Sequence, residues 1–180
     1  MVAAVLPGAA HAQRESHWRA SVALSAPGRV LDAGPGTIGL AIGGAVEAAW
    51  VRRLANGADV AYLVRAASAA VRGEQAESEW KPGRATMLDA TIRLERAWPR
   101  GIGLFGGPGI SHWRGPDDTV PFAGIESVLL GAEGGATWRP TARDWQLTFT
   151  SRMTRVGPDD DRAVTSGFVF RWLVGVQRAF

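Results

Sequence analysis

Residues 167–180 read GFVFRWLVGVQRAF, and this stretch decides the fold. Every second residue from Phe168 gives Phe168, Phe170, Trp172, Val174, Val176, Arg178 and Phe180. The other set is Val169, Arg171, Leu173, Gly175, Gln177 and Ala179. One face is aromatic and β-branched, whereas the other mixes charge, amide and small side chains. That is the period-two alternation of a strand.

The same alternation recurs over 17–26, 37–53, 59–72, 85–98, 122–139 and 144–155. In 85–98, Leu88, Ala90, Ile92 and Leu94 oppose Asp89, Thr91, Arg93 and Glu95. Residues 101–113 alternate weakly, being Gly-rich with Pro108, but must join their neighbours. A helix would scatter these charges over every face. Eight strands result, and the connections between them alternate in length. Residues 27–36, 73–84, 114–121 and 156–166 carry Pro-Gly and Gly-Pro-Asp turn chemistry and are expected as long loops. Residues 54–58, 99–100 and 140–143 are expected as tight turns. Long loops on one rim and short turns on the other is the plan of an all-β, eight-stranded antiparallel up-and-down transmembrane barrel.

Composition agrees with strands. Gly is 23 of 180 residues, about twice the usual share, and helices avoid it. The absence of Cys excludes a disulfide scaffold and thiolate metal sites. A net charge of +3 is too small to indicate nucleic-acid binding, and 19 of the 20 cations are Arg. Residues 1–12, MVAAVLPGAAHA, end in an Ala-His-Ala cleavage pattern and are expected to be the remnant of a secretory signal peptide. The charged start of such a leader is missing and is expected upstream of Met1, with a short buried N-terminal segment as the alternative. The barrel domain is then 13–180, exported to the outer membrane of a Gram-negative-type envelope.

The placement of the aromatics and charges follows the same register. Trp18, Trp50, Tyr62, Trp98, Trp138, Trp145 and Phe180 all fall at the short-turn ends of strands and on the apolar face. That is the pattern of an interfacial aromatic girdle. The opposite face carries Arg19, Glu47, Arg65, Asp89, Arg93, Glu95, Glu133, Arg152 and Arg171. An eight-stranded interior is just filled by side chains, and charges buried there must be paired. Glu47, Arg65, Asp89, Arg93, Glu95, Glu133, Arg152 and Arg171 are therefore expected to form an ion-pair network in the lumen. Arg52, Arg53, Arg96, Arg100, Arg139, Arg143 and Arg178 make the short-turn rim basic, suited to phospholipid headgroups.

The ending VGVQRAF resembles the C-terminal assembly signal of bacterial outer-membrane proteins, carried here by Trp172, Val174, Val176 and Phe180. The resemblance implies that the barrel-assembly machinery is a partner during biogenesis. In layout, the rest of the chain resembles small eight-stranded barrels of the OmpA, OmpX and OmpW type. It departs from them in its short outer loops, and no periplasmic domain is expected after the barrel.

No catalytic site is expected. Ser111 and His112 are chain neighbours on opposite faces, and Ser127 or Ser166 would have to reach His112 across space. His17 lies at the start of the first strand. The GIGLFGGPG run at 101–109 has the glycines of a dinucleotide loop but no following helix. Asp117-Asp118 and Asp159-Asp160-Asp161 are solvated turns, with Ca²⁺ or Mg²⁺ binding as the alternative. The expectation is a monomeric barrel among outer-membrane lipids, with a structural or surface role, no cofactor, no metal and no nucleic acid. Two other readings stay open: a soluble exported barrel that holds a small apolar ligand, and a porin-like narrow channel for small solutes.

Overall fold

The computed structural model describes residues 16–26, 28–33, 36–75, 83–114, 128–140, 143–156 and 167–180, with the side chains of 28–33, 36–40, 71–75, 156 and 167 outside that description. The expected leader, both acidic loop tips, Ser127 and Ser166 also lie outside it.

The elements in chain order are β1 (Ser16–Ala26), β2 (Gly28–Ala33), β3 (Gly36–Arg53), β4 (Asp59–Gln75), β5 (Gly83–Ala97), β6 (Ile102–Arg114), β7 (Val128–Trp138), β8 (Trp145–Val156) and β9 (Gly167–Ala179). Each pairs antiparallel in the order β1-β9-β8-β7-β6-β5-β4-β3, and β1 pairs with β3, which closes the sheet. The strand β2 adds no ninth stave. Gly28 stands opposite Leu40 in the same register that sets Ser25 of β1 opposite Gly43. Thus β1 and β2 are one barrel strand interrupted at residue 27. The protein is a closed, eight-stranded, all-antiparallel barrel.

One expected loop is corrected. Residues 27–36 are mostly strand, because β2 pairs with β3 as far as Ala33 opposite Gly36. The two Pro-Gly pairs in this stretch do not keep Gly28 and Gly36 out of the strands, and residues 27 and 34–35 lie outside the described residues. On the next hairpin, β3 pairs with β4 out to Gln75, so the expected boundary at residue 72 falls short. A register shift between Leu40 and Gly43 locally breaks the alternation of β3.

The pleat sorts the side chains. On β5, Arg84, Thr86, Leu88, Ala90, Ile92, Leu94 and Arg96 are exposed, whereas Ala85, Met87, Asp89, Thr91 and Arg93 are buried. The outer wall is apolar on every stave, with Leu24, Ile42, Val64, Ile92, Leu104, Leu130, Phe149 and Val174 all exposed. Among the strand residues whose side chains are described, no carboxylate faces outward. The interior is layered. Trp113, Met87, Leu129 and Val169 fill the long-loop end, charged residues fill the middle, and an apolar cluster of Ala49, Val51, Ala61 and Leu63 lies toward the short turns.

The short turns are held by backbone hydrogen bonds. Leu54 N–H donates to the Ala58 carbonyl at 2.8 Å, and Gly101 N–H donates to the Trp98 carbonyl at 3.0 Å. Gly57 and Gly101 both have φ of 79°, the left-handed region in which a side chain is strained. Their surroundings differ. A Cβ on Gly57 meets nothing within 4 Å, whereas one on Gly101 overlaps the Arg139 carbonyl. Gly57→Ala is expected to cost about 1 kcal/mol and Gly101→Ala about 3 kcal/mol or more in urea unfolding. Equal losses at the two turns would contradict this placement.

Candidate functional site: the charged lumen and the barrel wall

The middle of the lumen is a single network. Glu133 of β7 accepts from Arg65 Nη1 at 2.9 Å, from Arg152 Nη1 at 3.1 Å and from Arg93 Nε. Glu47 of β3 accepts from Arg65 Nη2 at 2.7 Å and Arg93 Nη2 at 3.2 Å. Asp89 of β5 accepts from Arg171 Nη2 and Ser111 Oγ, each at 2.6 Å. Ion pairs of 3.4 Å to Arg152 and 3.6 Å to Arg65 tie Asp89 to the rest. Arg152 also donates to Thr91 Oγ1 at 2.8 Å and to the Ile110 carbonyl at 2.9 Å. Burial is nearly complete, with Asp89 and Arg152 at 0% exposure and Glu133 at 5%.

Local sequence makes room for these groups. The guanidinium of Arg152 lies against Gly109, where a Cβ would stand 3.2 Å from its Nη1. Arg93 lies 4.5 Å from the Phe105 ring centroid, and that ring occupies the space a Cβ on Gly135 would fill. The glycine run of β6 and β7 is thus a recess for large polar side chains, not a nucleotide loop.

Glu95 belongs elsewhere. It pairs with Arg19 nearer the short-turn rim, in a second cluster where Arg19 reaches Asp59 at 3.6 Å and Arg53 Nε donates to Asp59 at 2.6 Å. Asp59 is not among the expected network residues; it opens the expected strand 59–72 just after the turn at 54–58, and alternation alone names no partner for it. Arg53 was expected to be a headgroup contact, and its bond to Asp59 turns it toward the barrel mouth instead. Arg139 likewise lines the mouth and donates to Gln146 at 3.4 Å. Together with His17 and Phe105, these residues border a vestibule of about 660 Å³.

The seven aromatics Trp18, Trp50, Tyr62, Trp98, Trp138, Trp145 and Phe180 lie at the short-turn end, all of them exposed except half-buried Trp50. Trp18, Trp50 and Tyr62 follow one another across β1, β3 and β4, with Trp50 stacked on Tyr62 at 5.5 Å. Phe180 N–H donates to the Trp18 carbonyl at 2.9 Å, which extends the β1–β9 closure to the last residue. Trp172, Val174 and Val176 face outward on β9. The outer wall also carries cations at the long-loop rim, namely Arg84 and Arg114 near His112, and Arg155 on β8 away from them. Among the described residues, cations therefore stand on the outer wall at both rims.

Among the described catalytic candidates, Ser111 and His112 are kept apart. Ser111 is buried against Asp89 and Arg152, whereas His112 is exposed outside. His17 accepts a hydrogen bond from Arg19 Nε at 3.0 Å. Among the described residues there is no cluster of His, Asp or Glu suited to a metal ion.

No family model matches the chain, and no curated protein matches it. Several solved structures share its fold. Neisserial surface protein A is 11% identical with a TM-score of 0.59, over 91% of this chain and 97% of that one. The attachment invasion locus protein Ail of Yersinia pestis is 17% identical with a TM-score of 0.56, over 92% and 99%. The outer-membrane protein AlkL is 14% identical with a TM-score of 0.54, over 99% and 97%. At these identities the likeness is one of fold, that of eight-stranded outer-membrane barrels.

Glu133 is expected to be the most sensitive lumen position. Removing its carboxylate leaves three buried arginines short of a partner, so Glu133→Ala should lower unfolding stability by about 3–5 kcal/mol. Glu95→Ala, near the rim, should cost clearly less. Adding Arg93→Ala to Glu133→Ala should recover part of the loss. A Glu133→Ala barrel within about 0.5 kcal/mol of the parent would show that water already screens the site.

Proposed function

We propose that this chain is an integral outer-membrane barrel with a sealed lumen and a non-enzymatic, structural or surface role. The observation that carries this reading is the inverted polarity of the barrel, charged inside and apolar outside. A soluble ligand-binding barrel needs the reverse. In water, an outer wall of exposed Leu, Ile, Val, Phe and Trp would be one continuous apolar surface, far beyond what soluble monomers carry. In lipid it is the required one.

Dimensions support the same reading. On β5 the outward face runs from Arg84 to Arg96, with no charge between them. At about 3.3 Å per residue and about 40° of tilt, these cations stand roughly 30 Å apart along the barrel axis. That matches an apolar band with its two interfaces. The aromatics at the short-turn end sit where a girdle belongs.

The sealed lumen argues against the channel alternative. Arg65, Asp89, Arg93, Glu133, Arg152 and Arg171 come from five staves and meet in the middle of the barrel, each at 5% exposure or less. A conducting path would have to break several charge-assisted hydrogen bonds at once. The vestibule at the short-turn rim stops below this layer.

Fractionation tests location. The chain is expected in the outer-membrane fraction, with a heat-modifiable gel shift that reports the folded barrel. In planar bilayers the parent protein is expected to give no steady conductance steps. Recovery in the soluble fraction would overturn the membrane reading, and stable conductance steps would overturn the sealed lumen. Deleting Phe180 should lower membrane levels in cells, while barrel refolded in detergent stays close to the parent in stability. Normal cellular levels of the deletion would remove the assembly role of the last strand.

A further inference from the structure

We propose that the outer wall of β4, β5 and β6 at the long-loop rim binds a lipid phosphomonoester, with the phosphate on Arg84, His112 and Arg114 and an acyl chain in the furrow below. This inference rests on the membrane reading. It adds a specific lipid site, which the general apolarity of the wall does not require.

Strand register sets these groups side by side. Ser68, Thr86 and Arg114 form one cross-strand row, while Ala66, Leu88 and His112 form the next row toward the barrel middle. Arg84 stands opposite Ala70, one row nearer the rim. All three basic side chains are exposed on the outside of the barrel. Arg84 Nε donates to Ser68 Oγ at 3.1 Å, which holds the guanidinium along the wall. Thr86 Oγ1 donates to the Arg114 carbonyl at 3.4 Å. None of the outward strand side chains described around this cluster is a carboxylate.

Below the cations the wall is hollow. A cavity of about 650 Å³ opens on the outer face, bordered by Val22, Val46 and Leu88 and reaching His112 and Arg114. Its floor is small because Gly44 and Ala66 present almost no side chain. A Cβ built on Gly44 meets no atom nearer than the Ala23 carbonyl oxygen at 4.0 Å, so the space is empty and can be filled without a clash. Cationic donors above an apolar furrow match an amphiphile whose anionic head sits at the interface and whose chain enters the bilayer.

The number of donors selects the head. A phosphomonoester carries a charge of about −1.5 to −2 near neutral pH and three strong acceptor oxygens. Two arginine forks and an imidazole N–H can satisfy those oxygens together. A phosphodiester offers less charge, and a zwitterionic headgroup brings a cation of its own against the arginines. Arg155 supplies the internal comparison. It is exposed at the same rim, on β8, opposite Phe168 and away from the furrow.

The test uses the full chain refolded into phosphatidylcholine vesicles, with folding scored by the heat-modifiable gel shift. Dilute phosphatidic acid, a monoester, or phosphatidylglycerol, a diester, is added, and retained lipid is counted by native mass spectrometry. Phosphatidic acid is expected to be retained in clear preference to phosphatidylglycerol. Arg84→Gln and Arg114→Gln should each weaken that retention by about fivefold, the effect of one interfacial arginine. Gly44→Leu, which fills the furrow with both arginines in place, should weaken it too, and Arg155→Gln should leave it unchanged. Equal retention of the two lipids, an equal loss in Arg155→Gln, or full retention in Gly44→Leu would overturn the site while the barrel still inserts. A chain that never inserts would overturn the membrane reading, and the site with it.

Discussion

The carboxylate of Glu133, held by arginines from three other staves, is the interaction on which the rest of this barrel depends. An eight-stranded barrel has an interior just wide enough for side chains. This one fills the middle of that space with Glu47, Asp89 and Glu133 against Arg65, Arg93, Arg152 and Arg171. Buried ions are tolerated only when paired and hydrogen-bonded. Glu133 satisfies Arg65, Arg93 and Arg152 together, so β4, β5, β7 and β8 are tied across the lumen as well as along their edges. The excess cation is accommodated at the long-loop side, where Arg171 lies 5.6 Å from the Trp113 ring centroid.

Placing every charge of the strand middles inside frees the outer wall to be apolar throughout. Among the described residues, cations return to that wall only at its two ends, Arg52, Arg96 and Arg178 at the short turns and Arg84, Arg114 and Arg155 at the long loops. The same pleat that sends Asp89 inward sends Leu88 and Ala90 outward. The furrow at Gly44 is part of that outer wall. The lumen and the wall are therefore two consequences of one alternation.

Much of this was legible in the sequence because a barrel strand has a period of two and every charge breaks one face or keeps it. Residues 85–98 and 167–180 alone define inside and outside. What was not legible lies where the alternation says nothing. Asp59 opens its strand beside a turn, and its ion pairs come from register: Arg53 stands opposite it on β3, and closure brings Arg19 of β1 to it. Glu95 shares the inner face with Arg93 but sits one row nearer the rim, and strand register decides its partner. The stretch 27–36 reads as a loop in the sequence because Pro-Gly pairs usually end strands. The furrow depends on five strands placing small and large residues at one height, which no single segment carries.

The most direct test of the inverted barrel is a nitroxide scan along β5, because the chain has no native cysteine to remove. Single labels would be placed in turn from Thr86 to Leu94 in the vesicle-reconstituted protein, and their collision rates with oxygen and with a polar nickel reagent compared. The account predicts a strict two-residue period. Labels at Leu88, Ala90 and Ile92 would be open to oxygen and shielded from nickel, most strongly near Ala90. Labels at Met87 and Thr91 would be immobilised in the packed lumen. High nickel access at Leu88, Ala90 and Ile92 would place the apolar wall in water and contradict the account.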